Sequence, residues 1–425
     1  MTEIRYRDRD IHIDLPPRNI VFDLEPRDVP AASDYRRALR QALAAPIGTP
    51  PLRHLVTPGQ RVVLIVDDNT RLTPTQQIVP VVLEELNEAG IPDTHIRAVI
   101  ASGTHRAMTR EEKLRKFGQV LLSRIPFLDH SYRDLTTLVD YGTTARGTRI
   151  LVNREVIHAD FRLAIGNIIP HHPTGWSGGA KAVLPGVGGE ETVAQMHLLG
   201  SRWPALGRVD TPMRQEMEDF AAKIGLDFIL NVILNREGEI VSAVAGHFIQ
   251  AHRAGVALST AVYGLPIPAR ADMVISSAWP VDWDLFQADK GITSAEPATK
   301  IGGEILLVAA CAEGVSPAHP ELADYLGKMT SAQIWELLAR GGARDPLTAA
   351  EAIVLHDIRE KHRVTIATEG LAPSLVQAMG FHHVQPEHLD AYLQRRLAAD
   401  PDLTIGILRQ SAELFPYVQA AGHPA

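Results

Sequence analysis

The stretch R-V-V-L-I-V-D at 61–67 constrains the fold of this chain most. Its apolar residues run without alternation, the pattern of a strand buried on both faces of a parallel sheet. It ends in D-D-N-T-R-L-T-P, and a segment of helical spacing follows over 75–89, stopping at Gly90 and Pro92. The pattern then repeats. I-R-A-V-I-A at 96–101 reads as a strand ending in S-G-T-H-R. A helix near 109–118 follows, opened by Thr109 with acids at 111 and 112. F-R-L-A-I-G-N-I-I-P at 161–170 reads as a further strand that runs into His171. Strand, loop and helix in alternation predict an α/β fold with mainly parallel sheets.

A chain of 425 residues exceeds the usual limit of one core, so two domains are expected. The proline-punctuated stretch L-P-I-P-A-R at 265–270 marks the boundary. Residues 1–264 read as a cofactor-binding and catalytic domain, with 1–50 peripheral to it. Residues 265–425 read as a smaller α/β domain, giving two Rossmann-like units with a cleft between them. Strands are expected at 271–277, 304–310, 364–368 and 403–408, with helices at 319–327, 331–340, 372–380 and 387–398. No G-x-G-x-x-G follows the first of these strands, so no dinucleotide site is indicated there.

Net charge is -8, which disfavours nucleic acid as a partner. No apolar stretch is long enough to span a bilayer, and the charged N-terminus lacks a secretory pattern. A cytoplasmic location is the simplest expectation. The single cysteine, Cys311, follows the run I-L-L-V-A-A and reads as a buried, inert thiol.

In parallel sheets, ligands bind beyond the carboxyl ends of strands. Three polar clusters fall there: Asp68–Arg71, Gly103–Arg106 and His171–Lys181. The S-G-G-A-K turn at 177–181 lets backbone approach a ligand closely and suits an anion, although a tight turn carrying a surface lysine has the same composition. His171 and His172 sit between prolines, and His197 follows in a helical segment, E-E-T-V-A-Q-M-H-L-L. Imidazoles here can bind a metal or move protons. Arg71 can clamp a carboxylate or phosphate, or can belong to a surface ion pair at a helix start. His105 occupies a glycine turn, and Lys290 follows the first strand of the second domain. Together these residues suit acid/base chemistry on a small anionic substrate.

The ordered set D-x-x-R (Asp68 to Arg71), G-x-H-R (Gly103 to Arg106), P-H (Pro170, His171), S-G-G-x-K (Ser177 to Lys181), a histidine (His197) and Q-x-x-K (Gln287 to Lys290) resembles the nickel-dependent lactate racemase family over most of the chain. The resemblance implies a 2-hydroxyacid racemase or epimerase using a nickel pincer nucleotide. This is a pyridinium mononucleotide with two thiocarboxyl arms. Lys181 would carry it through a thioamide, and His197 would be the protein ligand to nickel. His105 and His171 would be paired acid/base residues, with His172 as a neighbour able to share that role. Asp68, Asn69, Thr70, Arg71 and Gln287 would hold the cofactor. Arg71 and Lys290 would hold the substrate carboxylate. Cofactor-maturation proteins would be required partners.

The chain departs from the family pattern at two places. Phe286 stands where the lactate enzyme has a tyrosine, and the last tryptophan is Trp335, so none lines the later pocket wall. A dicarboxylate substrate would require another cation; Arg106 is a candidate, although it reads more simply as an ordinary surface arginine. Two other classes compete: a zinc hydrolase built on His171, His172 and His197, and a non-catalytic sensor of anionic metabolites.

Overall fold

The computed structural model describes residues 2–203 and 205–419. These form two compact units. The first comprises residues 27–169 and 173–262, and the second comprises the described parts of 1–26, 170–172 and 263–425.

The first unit is built on a six-stranded sheet. Its order is Ile240–Gly246, Phe228–Leu234, Phe161–Asn167, Val62–Val66, Ile96–Ile100, Phe127–Asp129. All neighbours are parallel except Phe228–Leu234 with Ile240–Gly246. Val62–Val66 lies inside the sheet with every residue buried, as its unbroken apolar run requires. Helix Thr75–Glu88 covers it with Ile78, Val79, Val82 and Leu86, all fully buried. Helix Arg110–Phe117 begins at a capping box: the Thr109 hydroxyl accepts from the Glu112 amide, and the Glu112 carboxylate accepts from the Thr109 amide. Such a cap contributes about 1 kcal/mol.

The second unit carries a six-stranded sheet that is parallel throughout. Its order is His382–Val384, Arg363–Ala367, Thr299–Val308, Ala271–Ser277, Ile405–Leu408, Ile20–Leu24. One face packs helices Leu285–Ala295 and Pro346–Lys361. The other packs helix Leu389–Ala399 and the hairpin of Thr2–Tyr6 with Arg9–Ile13.

The N-terminal residues are therefore placed differently from the sequence reading, which assigned 1–264 to the first domain. Ile20–Leu24 is an edge strand of the second sheet, with Phe22 opposite Gly406. A Cβ at Gly406 would stand 2.0 Å from the Phe22 ring, so glycine there makes room for this pairing. Ile4 and Tyr6 are fully buried. Helices Pro212–Ile224, Gln250–Tyr263, Leu285–Ala295 and Pro346–Lys361 add to those expected.

Candidate active site

The loop after Val62–Val66 is tied down by charge. Asp68 is 2% exposed. Its Oδ1 accepts from the Thr70 amide at 3.0 Å and the Thr70 hydroxyl at 2.5 Å. Arg71 folds back to donate to the Thr70 hydroxyl and carbonyl, each at 3.1 Å. Asn69 is half-buried beside them. Lys116, which the sequence reading did not single out, donates to the carbonyls of Arg71 (2.6 Å) and Thr73 (3.0 Å) and stands 3.3 Å from Asp67. Burial pushes the Asp67 carboxyl up, against Lys116 and Thr73.

The second loop meets the first at His105, whose Nδ1 lies 2.7 Å from Asp68 Oδ2. An ionised carboxylate only accepts, so Nδ1–H donates and the neutral ring carries its lone pair on Nε2. Burial alone would raise the Asp68 carboxyl, but His105, Arg71 and Thr70 outweigh it and hold it well below the usual range. Its stabilising contribution is therefore present above the unfolded carboxylate pKa, about 3.9, and is lost as pH falls through the folded value. Below that unfolded value the stability difference between wild type and Asp68→Asn should shrink as pH falls. Urea midpoints measured from about pH 4 downward check this; a difference that grows over that range would contradict it. Arg106 is already engaged, donating from both terminal nitrogens to Glu112 at 2.8 and 2.9 Å.

The third loop contains Lys181, in the short turn Gly179–Ala182. Gly178 has φ 73° and ψ -177°, a conformation open essentially to glycine alone. A Cβ there would lie 2.8 Å from Ile168 and 2.9 Å from Asn231 Oδ1. We expect Gly178→Ala to lose about 2–4 kcal/mol in chemical denaturation; an unchanged midpoint would refute this. The loop is held from beneath by residues with no local sequence signal. Asn231 accepts from the Gly179 amide (2.9 Å), and His252 Nε2 donates to the Ser177 carbonyl (2.9 Å). Arg214, fully buried, donates to the Thr174 and Trp176 carbonyls. The Gly103 amide donates to the Gly186 carbonyl at 2.9 Å, joining the His105 loop to the Lys181 segment.

His197 lies on helix Glu190–Gly200 with Nδ1 2.8 Å from the Val193 carbonyl. A carbonyl only accepts, so the neutral ring again carries its lone pair on Nε2, a tautomer able to ligate a metal. Asn167 ends the strand Phe161–Asn167, is 2% exposed, and has no hydrogen-bond partner for either amide atom. Buried amides are normally paired, so this one fits a site built for a polar ligand. Its signal was a polar residue closing a buried apolar strand.

The remaining expected residues belong to the second unit. Gln287 and Lys290 share helix Leu285–Ala295, which Asp284 caps by accepting from the Gln287 amide at 2.7 Å. Lys290 Nζ donates to Gln287 Oε1 at 2.5 Å. Burial pushes the Asp284 carboxyl up to about 6, against the Gln287 amide and Lys290. Phe286 packs against His319, with ring centroids 4.9 Å apart. His171 and His172 also fall in this unit. Burial pushes the His172 imidazole down to about 4, against Glu296, so it is neutral at pH 7. Among the described residues, no group of three or more histidine, cysteine, aspartate or glutamate side chains is placed to hold a metal ion. The zinc reading requires such a group. No helix among them is long and apolar enough to cross a membrane.

The family models of the lactate racemase N-terminal domain and the lactate racemase C-terminal domain match residues 6–205 and 267–405. A lactate racemase of Thermoanaerobacterium thermosaccharolyticum is 32% identical over 324 residues, covering 73% of this chain and 75% of that protein. One of Lactiplantibacillus plantarum is 30% identical over 285 residues, covering 66% and 67%. The solved lactate racemase apoprotein from T. thermosaccharolyticum superposes with a TM-score of 0.85 at 27% identity, covering 97% of this chain and 99% of that one. A Thermotoga maritima structure shares the fold, with a TM-score of 0.71 at 21% identity over 90% and 98% of the two chains. The chain belongs to the lactate racemase family and is an isomerase.

Proposed function

We propose that the chain racemises or epimerises a small 2-hydroxy acid of the lactate type, with Lys181 and His197 holding a nickel pincer nucleotide. When bound, that group supplies a reversible hydride acceptor for the substrate C2 hydrogen. Three features of the first unit fit it. His197 offers Nε2 as a ligand, the glycine turn carries Lys181 on backbone that a Cβ would obstruct, and Asn167 is buried with an unsatisfied amide. Asp68, Asn69, Thr70, Arg71 and Gln287 are the residues assigned to hold the cofactor.

The observation that carries the reading is the Asp68–His105 pair. His105 Nε2 takes the substrate hydroxyl proton as the C2 hydrogen leaves. Asp68 stabilises the imidazolium so formed and keeps the ring in one tautomer. Reversal of configuration needs a base for the opposite presentation of the carbonyl, the role given to His171. Arg71 and Lys290 neutralise the substrate carboxylate. Maturation proteins that build the cofactor are the implied partners.

The test uses full-length protein from cells that have the maturation machinery. Intact mass should show an adduct that disappears in Lys181→Ala, and a panel of 2-hydroxy acids should include one whose optical activity decays. An unmodified mass, with no member of the panel racemised, would overturn the proposal.

A further inference from the structure

A cavity of about 710 Å3 opens within the second unit, at the amino ends of its strands. Arg363 and His382 reach it from the starts of their strands, and Gly302 from the amino-terminal half of the adjacent strand Thr299–Val308. Gln287 and Lys290 lie on the helix that follows the carboxyl end of Ala271–Ser277, at the opposite edge of this parallel sheet. The cavity is therefore separate from Gln287 and Lys290.

Its lining is cationic. Arg359, Lys361 and Arg363 face it, against Glu360 as the one acid among the lining residues. Arg359 and Lys361 end helix Pro346–Lys361, where a cation complements the helix dipole. That terminus carries only about half a charge, so it does not account for all three. Glu296 stands 3.5 Å from Lys361, and Glu304 3.7 Å from Arg363. Glu304 is already shared with Arg396, Thr365 and Tyr392. Arg359 donates to the main-chain carbonyls of Leu326 (3.3 Å) and Met379.

Two further features point to a ligand. His362 lines the cavity at 4% exposure, and neither ring nitrogen has a hydrogen-bond partner. Glu296 faces its Nε2 at 3.9 Å, an ion-pair separation, and the His362 ring is the foremost group holding the Glu296 carboxyl down. Its Nδ1 has no such partner, and a buried ring nitrogen left so is costly unless something in the cavity pairs with it. Helix Ser331–Ala339 also opens here, with Thr330 and Ser331 in the lining. Its capping box pairs Thr330 with Gln333 in both directions, which leaves the Ser331 and Ala332 amides outside the cap.

We propose that this cavity binds a small anion of the phosphate class, free or carried on a nucleotide. Guanidinium, ammonium, imidazole and helix-terminal amides converge from different elements. That array suits a tetrahedral oxyanion with several acceptors better than a planar carboxylate, which one arginine fork satisfies. The volume exceeds a single phosphate and accommodates a mononucleotide.

The test is calorimetric titration of the full chain, at low salt, with inorganic phosphate, pyrophosphate, AMP and adenosine. The phosphate-bearing probes should bind and adenosine should not. Pyrophosphate binding as tightly as AMP identifies a free-phosphate site, and tighter AMP binding a nucleotide site. Ser331→Pro removes one amide at the first helical position, where proline is tolerated, and Thr330 already has the extended conformation that precedes proline. This variant and Lys361→Gln should each weaken binding about tenfold with the melting temperature unchanged. No binding by wild type at about 10 mM, or binding indifferent to both substitutions, would overturn the proposal. Neither outcome depends on the reaction assigned to the opposite edge.

Discussion

His105→Ala is expected to lower turnover by about 100- to 10,000-fold, the span typical of a positioned general base. The loss should fall on kcat rather than KM, because the imidazole acts on a proton in flight and does not hold the carboxylate. Asp68→Asn should produce a large fraction of the same loss. It removes the charge that stabilises the imidazolium and replaces an obligatory acceptor, 2.7 Å from Nδ1, by an amide that can also donate. Both variants should retain the mass adduct on Lys181, since neither residue belongs to that loop. His105→Gln keeps the size and polarity of the side chain and should be as slow as the alanine variant. Stereospecific turnover of a good substrate by either His105 variant at close to the wild-type rate would remove His105 from the reaction. Turnover lost together with the adduct would instead assign it a role in cofactor loading.

How much of this could be read from sequence depended on whether the cause was local. Val62–Val66 was legible because burial on both faces leaves an unbroken apolar run. Helix Arg110–Phe117 was legible because its cap lies within four residues. Ile20–Leu24 was not, because its partner, Ile405–Leu408, is at the other end of the chain and no short pattern encodes that pairing. Helix Leu285–Ala295 was hidden by Gly291, a poor helix former kept because a Cβ there would approach Leu307 at 2.7 Å and Ser276 at 3.1 Å. Pro346–Lys361 carries a local start signal, Asp345 followed by proline. The site divides in the same way. His105, Lys181 and His197 are marked as candidates by residue type and by the glycines near them. Lys116, Asn231, His252 and Arg214 act through backbone carbonyls and amides brought near only by the fold, so nothing in their own segments marks them.

His197→Ala should bring nickel content, measured by elemental analysis, down at least about tenfold. The function proposed above gives the metal one protein ligand, His197, with no second imidazole to share the load. Among the described residues no cluster of three metal-binding side chains could take over. The Val193 carbonyl fixes the ring from within the same helix, at 2.8 Å, so the neutral ring carries its lone pair on Nε2. Removing a ligand already held in its binding tautomer forfeits both the bond and that organisation. Lys181 stands on a separate turn and should keep its organic adduct, so mass spectrometry and metal analysis should part company in this variant alone. His197→Gln should not restore nickel, because a neutral amide oxygen is a poorer donor than imidazole to a borderline metal. Full nickel in His197→Ala, with the adduct still on Lys181, would move the metal to another residue. Loss of both together would mean that metal and adduct are retained only as one unit.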